Sequence, residues 1–287
     1  MLKKLAQQRA AADTPASKPG CATCQDRRYL VRVGEQTLHA ITCADCAAVC
    51  PTCYGARVLL AEDENGAVYS RACSCVAAER RIQLFNQARI PRLYEKATLA
   101  SLDTNANPDL HNTAMMLRLL LHDFRPGKKG LGLSGKVGVG KSHVMAVLAR
   151  ELTLERGIAT QFVEFTHLLA DIRASYDRGQ GEASILAPLV DLPVLIIDEL
   201  GKGLSTEWQL AMLDELISKR YNRGATTCFT TNYPFEERNY DNQTSVKLDA
   251  TLLVDRVGPR VFSRLQEMCD LHRMEGVDHR ALRSQQP

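Results

Sequence analysis

From residue 98 onward, short apolar runs alternate with longer segments whose apolar positions recur at helical spacing. The runs at 130–134 (Leu131-Gly132-Leu133 at its centre), Thr160–Phe165, Val194–Asp198 and Thr226–Thr231 predict strands. Asn112–Asp123, Ser142–Arg156, His167–Tyr176 and Glu207–Arg223 predict helices, the last stopped by Gly224. Cys269–Met274 is one further strand-like run. Val194 to Ile197 is apolar at every position, as in a strand buried on both faces. This alternation predicts an α/β domain over 98–287, a parallel sheet with helices on both faces. Upstream the pattern changes to hairpins. Tyr29–Val33 runs into Gly34-Glu35, and Ala56–Leu60 and Ala67–Tyr69 flank Asn65-Gly66, a strong tight-turn pair. Val76–Arg89 places Ile82, Phe85 and Arg89 at helical spacing and stops at Pro91, which predicts a linker helix over 77–97. Residues 1–20, rich in Ala, Gln, Ser and Pro, predict a flexible segment.

Composition narrows the classes. A chain of 287 residues has room for one ordinary domain and one small one. A net charge of +3 permits nucleic-acid contact without arguing for it, so any such contact needs a local patch. Only 6% of residues are aromatic, which advertises no base-stacking surface. Arg71, Arg80, Arg81, Arg89 and Arg92 make one segment basic, a pattern that fits a solvated face or a DNA or partner contact. There is no apolar run of about eighteen residues to cross a membrane, and the first residues have no apolar core of signal-peptide length. The expected location is cytoplasmic, where thiols need a reason other than disulfides.

Eight of the ten cysteines fall between residues 21 and 75, in pairs. Cys21/Cys24 and Cys43/Cys46 are two C-x₂-C knuckles at zinc-ribbon separation. Cys50/Cys53 and Cys73/Cys75 repeat the pattern with a last knuckle one residue short. The expectation is a double zinc-ribbon module over 21–76, with two sequential structural Zn²⁺ sites. Interleaved pairing, with Cys21/Cys24 joined to Cys50/Cys53, and redox dithiols remain alternatives. Four thiolates close a site, so such a metal is structural, and it supplies folding energy that so small a module lacks. Cys228 and Cys269 lie in apolar runs and read as core thiols.

Residues 135–142 read Gly-Lys-Val-Gly-Val-Gly-Lys-Ser, a full phosphate-binding loop between a predicted strand and a predicted helix. Its glycines let successive backbone N–H groups close around phosphate oxygens, and the helix N-terminus adds positive potential. Gly135, Lys136, Val137, Gly138, Val139, Gly140, Lys141 and Ser142, with His143 beside them, are the candidate ATP ligands. Lys141 suits the β- and γ-phosphates, and Ser142 suits Mg²⁺. Asp198 and Glu199 end the apolar run at 194–198, where parallel sheets bind ligands. Asp198 is the second candidate Mg²⁺ group, and Glu199 the group that activates or orients water. Asn232, after Thr230-Thr231, either contacts phosphate or water or starts a turn before Tyr233-Pro234. Gly258-Pro259 predicts a helix start that sets Arg260 and Arg264 one turn apart. Such a pair fits phosphate on a neighbouring subunit.

Together these residues resemble the AAA+ ATPases, and within them the DnaC/DnaI-type helicase loaders and the related IstB-type transposition ATPases. The resemblance covers roughly residues 73–287. Its carriers are Cys73-Ser74-Cys75, Ala88-Arg89-Ile90-Pro91, Gly135–Ser142, Leu195–Glu199, Thr231-Asn232 and Arg260-Val261-Phe262-Ser263-Arg264-Leu265. It implies Walker A roles for Lys141 and Ser142, Walker B roles for Asp198 and Glu199, and a sensor role for Asn232. It makes Arg264 the catalytic arginine finger, with Arg260 beside it, and Arg280 a second arginine sensor. It also implies a lidless AAA+ domain, because only thirteen residues follow Met274. The implied activity is loading a hexameric replicative helicase onto single-stranded DNA, gripped through the zinc module, in an ATP-dependent homo-oligomer. Arg173, Tyr176 and Arg178 are the expected DNA contacts. An IstB-type partner of a transposase is the alternative. An ATP-binding adaptor that hardly hydrolyses is a third reading, against which Glu199 and the paired arginines argue.

Overall fold

The computed structural model describes residues 20–25, 27–47, 50, 52–63, 67–102, 108–236, 251–276 and 278. Among these, residues 20–95 with 153–157 form one compact unit, and 96–152 with 158–278 form another.

The first unit is built from two copies of one small motif. A Cys-x-x-Cys knuckle leads into a hairpin and then a second knuckle that starts a helix. The first copy carries β1 (Tyr29–Val33), β2 (Leu38–Thr42) and α1 (Ala44–Ala47). The second carries β3 (Val58–Glu62), β4 (Val68–Ala72) and α2 (Ser74–Gln87). Cys24, Arg28 and Cys43 correspond to Cys53, Arg57 and Cys73. The matching backbone bonds repeat: Cys43 N–H to Arg28 O at 2.9 Å, and Cys73 N–H to Arg57 O at 2.8 Å. Arg28 and Arg57 also share left-handed φ values of 66° and 64°, the tight turn that aims each knuckle at its partner. The Asn65-Gly66 turn lies outside the described residues.

The copies differ in their helices. α1 is a single turn, whereas α2 runs for 14 residues and packs on β2 of the first hairpin. Asn86 accepts from the Ala40 N–H at 2.7 Å and donates to the Ala40 carbonyl at 3.1 Å, closing the β2 edge. The helix expected as a linker over 77–97 is therefore built into the ribbon unit and begins inside its last knuckle.

The second unit is a five-stranded, all-parallel sheet in the order β6-β7-β8-β5-β9. Its strands are β5 (Gly130–Ser134), β6 (Thr160–Glu164), β7 (Val194–Asp198), β8 (Thr226–Thr231) and β9 (Cys269–Arg273). β5, β7 and β8 are buried at every position, as strands covered on both faces require, and the threonines of β8 are buried with side-chain hydrogen bonds. The helices are α3 (Pro108–His122), α4 (Lys141–Arg150), α5 (Phe165–Asp177), α6 (Ala183–Asp191), α7 (Glu207–Asn222), α8 (Leu253–Val257) and α9 (Pro259–Met268). The expected Ser142–Arg156 helix is α-helical only to Arg150 and continues as a wider turn over Glu151–Glu155. α6, with Pro188 inside it, was not predicted. α7 opens on a capping box in which Gln209 N–H donates to Thr206 Oγ1 and Gln209 Oε1 accepts from the Thr206 N–H. Among the described residues no helix is long and apolar enough to cross a membrane.

Candidate functional site

The sheet order brings β5, β8 and β7 side by side, so the segments leaving their C-terminal ends meet in one place. The loop after β5 turns through Gly135, Gly138 and Gly140, at φ values of 153°, 83° and 104°. A side chain on Gly135 would strike the Met274 carbonyl, and one on Gly138 would strike the Asp278 carboxylate. Only glycine fits there. Lys141, the first residue of α4, donates from Nζ to the carbonyls of Gly135 and Lys136 and to Asn232 Oδ1, each at 2.8 Å. The loop lysine and the residue after β8 therefore touch.

Ser142 Oγ donates to Asp198 Oδ1 at 2.8 Å. Asp198 is buried, and burial is the first cause that raises its pKa. Hydrogen bonds from Thr230 and Ser142 oppose the rise, and the charges of Glu199 and Glu164 add to it. A hydroxyl and a buried carboxylate oxygen, electrostatically short of a counter-ion, are a donor set for a hard divalent cation. Mg²⁺ fits these residues.

Glu199 sits just beyond β7 at φ 56°, in the left-handed region, which costs roughly 1–2 kcal/mol for a side chain of this kind. β8 holds it there. Glu199 N–H donates to Thr230 Oγ1 at 3.0 Å, and Thr230 Oγ1 donates to Asp198 Oδ1 at 2.5 Å. Leu200 N–H donates to the Thr230 carbonyl, and Thr231 Oγ1 to the Leu200 carbonyl. The Glu199 carboxylate pairs with Lys202 Nζ. Sequence reasoning missed Thr230, Lys202 and Glu164. Glu164 closes β6 directly opposite Asp198 in register and accepts from Thr166 Oγ1.

Other sequence-predicted residues lie elsewhere. His143 bonds Ser101 Oγ at 2.8 Å, on the side of the 98–102 turn. Arg264 donates to Asp214 Oδ1 at 2.9 Å and lies over the Tyr221 ring, while Arg260 approaches the same carboxylate at 3.6 Å. Both arginines thus engage α7 of their own chain. Arg260 remains 71% exposed and Arg264 only 21%. Arg173 stacks on Trp208 at 5.0 Å, with Tyr176 6.3 Å from the same ring. Arg173 and Asp177 line a cavity of about 340 Å³ that reaches Gly203. Arg178 bonds Gln180. Arg280 lies outside the described residues.

In the ribbon unit, the sulfurs of Cys50, Cys53, Cys73 and Cys75 lie within 4.8 Å of one another, as do those of Cys21, Cys24 and Cys43. The Cys46 side chain lies outside the described residues. The grouping is sequential, not interleaved. At Cys50 burial is the largest single influence and works upward, but hydrogen bonds from the Cys53 and Thr52 backbone N–H groups and the Cys53 and Cys73 thiols together lower the thiol to about 6. At Cys75 burial, then the neighbouring thiols, push it up to about 12. Four converging thiols are a ligand set for a tetrahedral thiophilic cation, and Zn²⁺ fits them.

A parallel sheet with a glycine loop after one central strand, paired carboxylates after the next and Asn232 between them defines a P-loop ATPase of the AAA+ class. Residues 73–261 match the family model of the IstB-like ATP binding protein, and the chain belongs to that family. The replicative helicase loader DnaC of Escherichia coli K12 is 23% identical over 185 residues, which cover 64% of this chain and 75% of the loader. A putative insertion sequence ATP-binding protein of Sinorhizobium fredii is 29% identical over 185 residues, covering 62% and 60%. The crystal structure of the DnaC helicase loader superposes with a TM-score of 0.53 at 28% identity, covering 64% of this chain and 99% of that one. These relationships set the chain among AAA+ ATPases of replication and transposition.

Proposed function

We propose that this protein loads a hexameric replicative helicase onto single-stranded DNA, using ATP binding and hydrolysis in a homo-oligomer. The observation that carries the ATPase part is the convergence of Lys141, Ser142, Asp198, Glu199 and Asn232 on one sheet edge, held through Thr230. In this reading the 135–142 loop and Lys141 bind the ATP phosphates, and Asn232 meets the terminal phosphate. Ser142 and Asp198 hold Mg²⁺, which would neutralise phosphate charge when bound. Glu199 orients the attacking water once Lys202 releases it. Arg264, offered to the ATP of an adjoining subunit, supplies the charge that stabilises the transition state. The likeness to DnaC and a cysteine-rich unit ahead of the ATPase support helicase loading.

The family match and the Sinorhizobium relative favour a second reading, an ATPase that helps a transposase choose target DNA. Native mass analysis of the full chain with its host's replicative helicase and ATP separates the two. A defined complex supports the loader. No complex, together with DNA-stimulated ATP turnover, moves the reading to transposition.

A further inference from the structure

The two ribbons are copies of one motif, and they treat the same face of their hairpins differently. In the first hairpin the register pairs Val33 with Leu38, Val31 with Ala40 and Tyr29 with Thr42, which places these six residues on one face. α2 covers it. Leu38 and Ala40 are each 1% exposed, buried with Phe85, Ala88 and Ile90. In the second hairpin the register pairs Glu62 with Val68, Leu60 with Ser70 and Val58 with Ala72. By the correspondence of Cys24 with Cys53 and Cys43 with Cys73, this is the equivalent face. Here Val58, Leu60 and Val68 are 50%, 78% and 67% exposed, and all five residues of β4 are exposed. An isolated two-stranded hairpin gains little from leaving three aliphatic side chains in water.

We propose that the Val58–Leu60–Val68 face docks an amphipathic helix of the replicative helicase, seated as α2 is seated on the first hairpin. This inference rests on the loader reading above. The first ribbon shows what the motif accepts: a helix that lays an aromatic and small apolar side chains on the face and closes the outer strand edge with an amide such as Asn86. Glu62 ends the open face and Asp63 follows it, so the matching helix carries basic residues at that end. Two occupants from this protein itself fit less well. Residues 1–19 hold only Met1, Leu2 and Leu5 as large apolar side chains, about one helical turn, and no aromatic residue to match Phe85 of α2. In a second copy, α2 already spends Phe85 on its own hairpin.

The test uses the full chain, the host's hexameric helicase as probe, and hydrogen exchange over residues 58–72. Leu60→Glu is expected to weaken the complex about tenfold or more, while Tyr69→Ser on the opposite face changes it less than about twofold. Metal content and ATP turnover of the free variants should match the parent. Exchange at 58–72 in the unmodified chain should slow when helicase is added, a reading that stands even if Leu60→Glu folds poorly. If the parent binds helicase, Leu60→Glu binds equally well and 58–72 exchange is unchanged, the docking site is wrong and the loader reading survives. If the parent forms no complex, both fall. A parent that self-associates only while Leu60 is intact would give the face to a second copy. Faster 58–72 exchange on removing residues 1–19 would give it to the protein's own N-terminal segment. Either result overturns the proposal.

Discussion

Thr230 Oγ1 donates to Asp198 and accepts from the Glu199 N–H, so one buried hydroxyl ties down both carboxylates and the left-handed backbone between them. Removing it leaves Glu199 at φ 56° without the bond that offsets the strain. Thr230→Val keeps the shape and deletes the hydroxyl. ATP affinity should stay within a few-fold of the parent, and kcat should fall about ten- to a hundredfold, because the water-orienting carboxylate drifts. Thr230→Ser should recover most of the rate. A Thr230→Val variant with unchanged kcat would show that β7 alone fixes Glu199. The loop at 135–142 and the Asp198-Glu199 pair are legible in the sequence because each motif is contiguous, and its chemistry follows from residue order. Thr230 and Asp214 are not legible. Each acts through a neighbour that only strand order or helix packing brings close, and nothing local marks a threonine in a Thr-rich strand as the one that counts. Lys202 lies three residues from Glu199, but nothing in the residue order shows that the chain turns back there.

At the scale of elements, α6 is the part that sequence pattern misses. It is only nine residues long and contains Pro188, so neither length nor periodicity separates it from a loop or a short strand. A partner distant in sequence stabilises its C-terminal end. Arg220, fully buried on α7, donates to the carbonyls of Leu189, Leu192 and Thr226 and to Thr227 Oγ1. Burial lowers its pKa to about 10, which leaves it charged at neutral pH. Arg220→Met matches the length but strands those acceptors, and should cost about 1–3 kcal/mol in denaturant unfolding. The ribbons are the opposite case. Knuckle spacing and hairpin signals predict both clusters in sequential order, and the structure groups Cys50, Cys53, Cys73 and Cys75 and, separately, Cys21, Cys24 and Cys43, and adds the seat of α2. Their protonation gives a direct check on the metal. With Cys75 near 12 and Cys50 near 6, the first holds its proton at pH 7 and the second does not. Binding Zn²⁺ must expel the Cys75 proton, so affinity rises with pH. Calorimetry in buffers of different ionisation enthalpy should count about one proton fewer released at this cluster for Cys75→Ser than for the parent. An equal count in the two would mean that Cys75 is not a ligand.

For the molecule as a whole, the open question is where the two arginines of α9 act. The sequence places them one turn apart on a helix face and the structure agrees, yet Asp214 of the same chain gathers both. Arg264 is the more enclosed, between Asp214 and the Tyr221 ring, and Tyr221 is itself bonded to Glu267 at 2.7 Å. This arrangement has two meanings: a seam fastening α9 to α7, or a finger parked on its own subunit until a neighbour's ATP competes for it. The two differ in what an oligomer can repair. Arg264→Ala should bind ATP normally and hydrolyse it at least about a hundredfold more slowly. Lys141→Ala should bind no ATP and still present a sound Arg264. In an equimolar mixture, about a quarter of random interfaces join an intact phosphate loop to an intact arginine, so a finger acting between subunits restores a measurable fraction of turnover. Rescue should also need protein concentrations that support assembly. If no mixing ratio restores activity and Arg264→Ala unfolds at lower denaturant, the arginine belongs to the α7–α9 seam. Hydrolysis would then have to draw its positive charge from within one subunit, where Lys141 and Lys202 already stand beside Asn232 and Glu199.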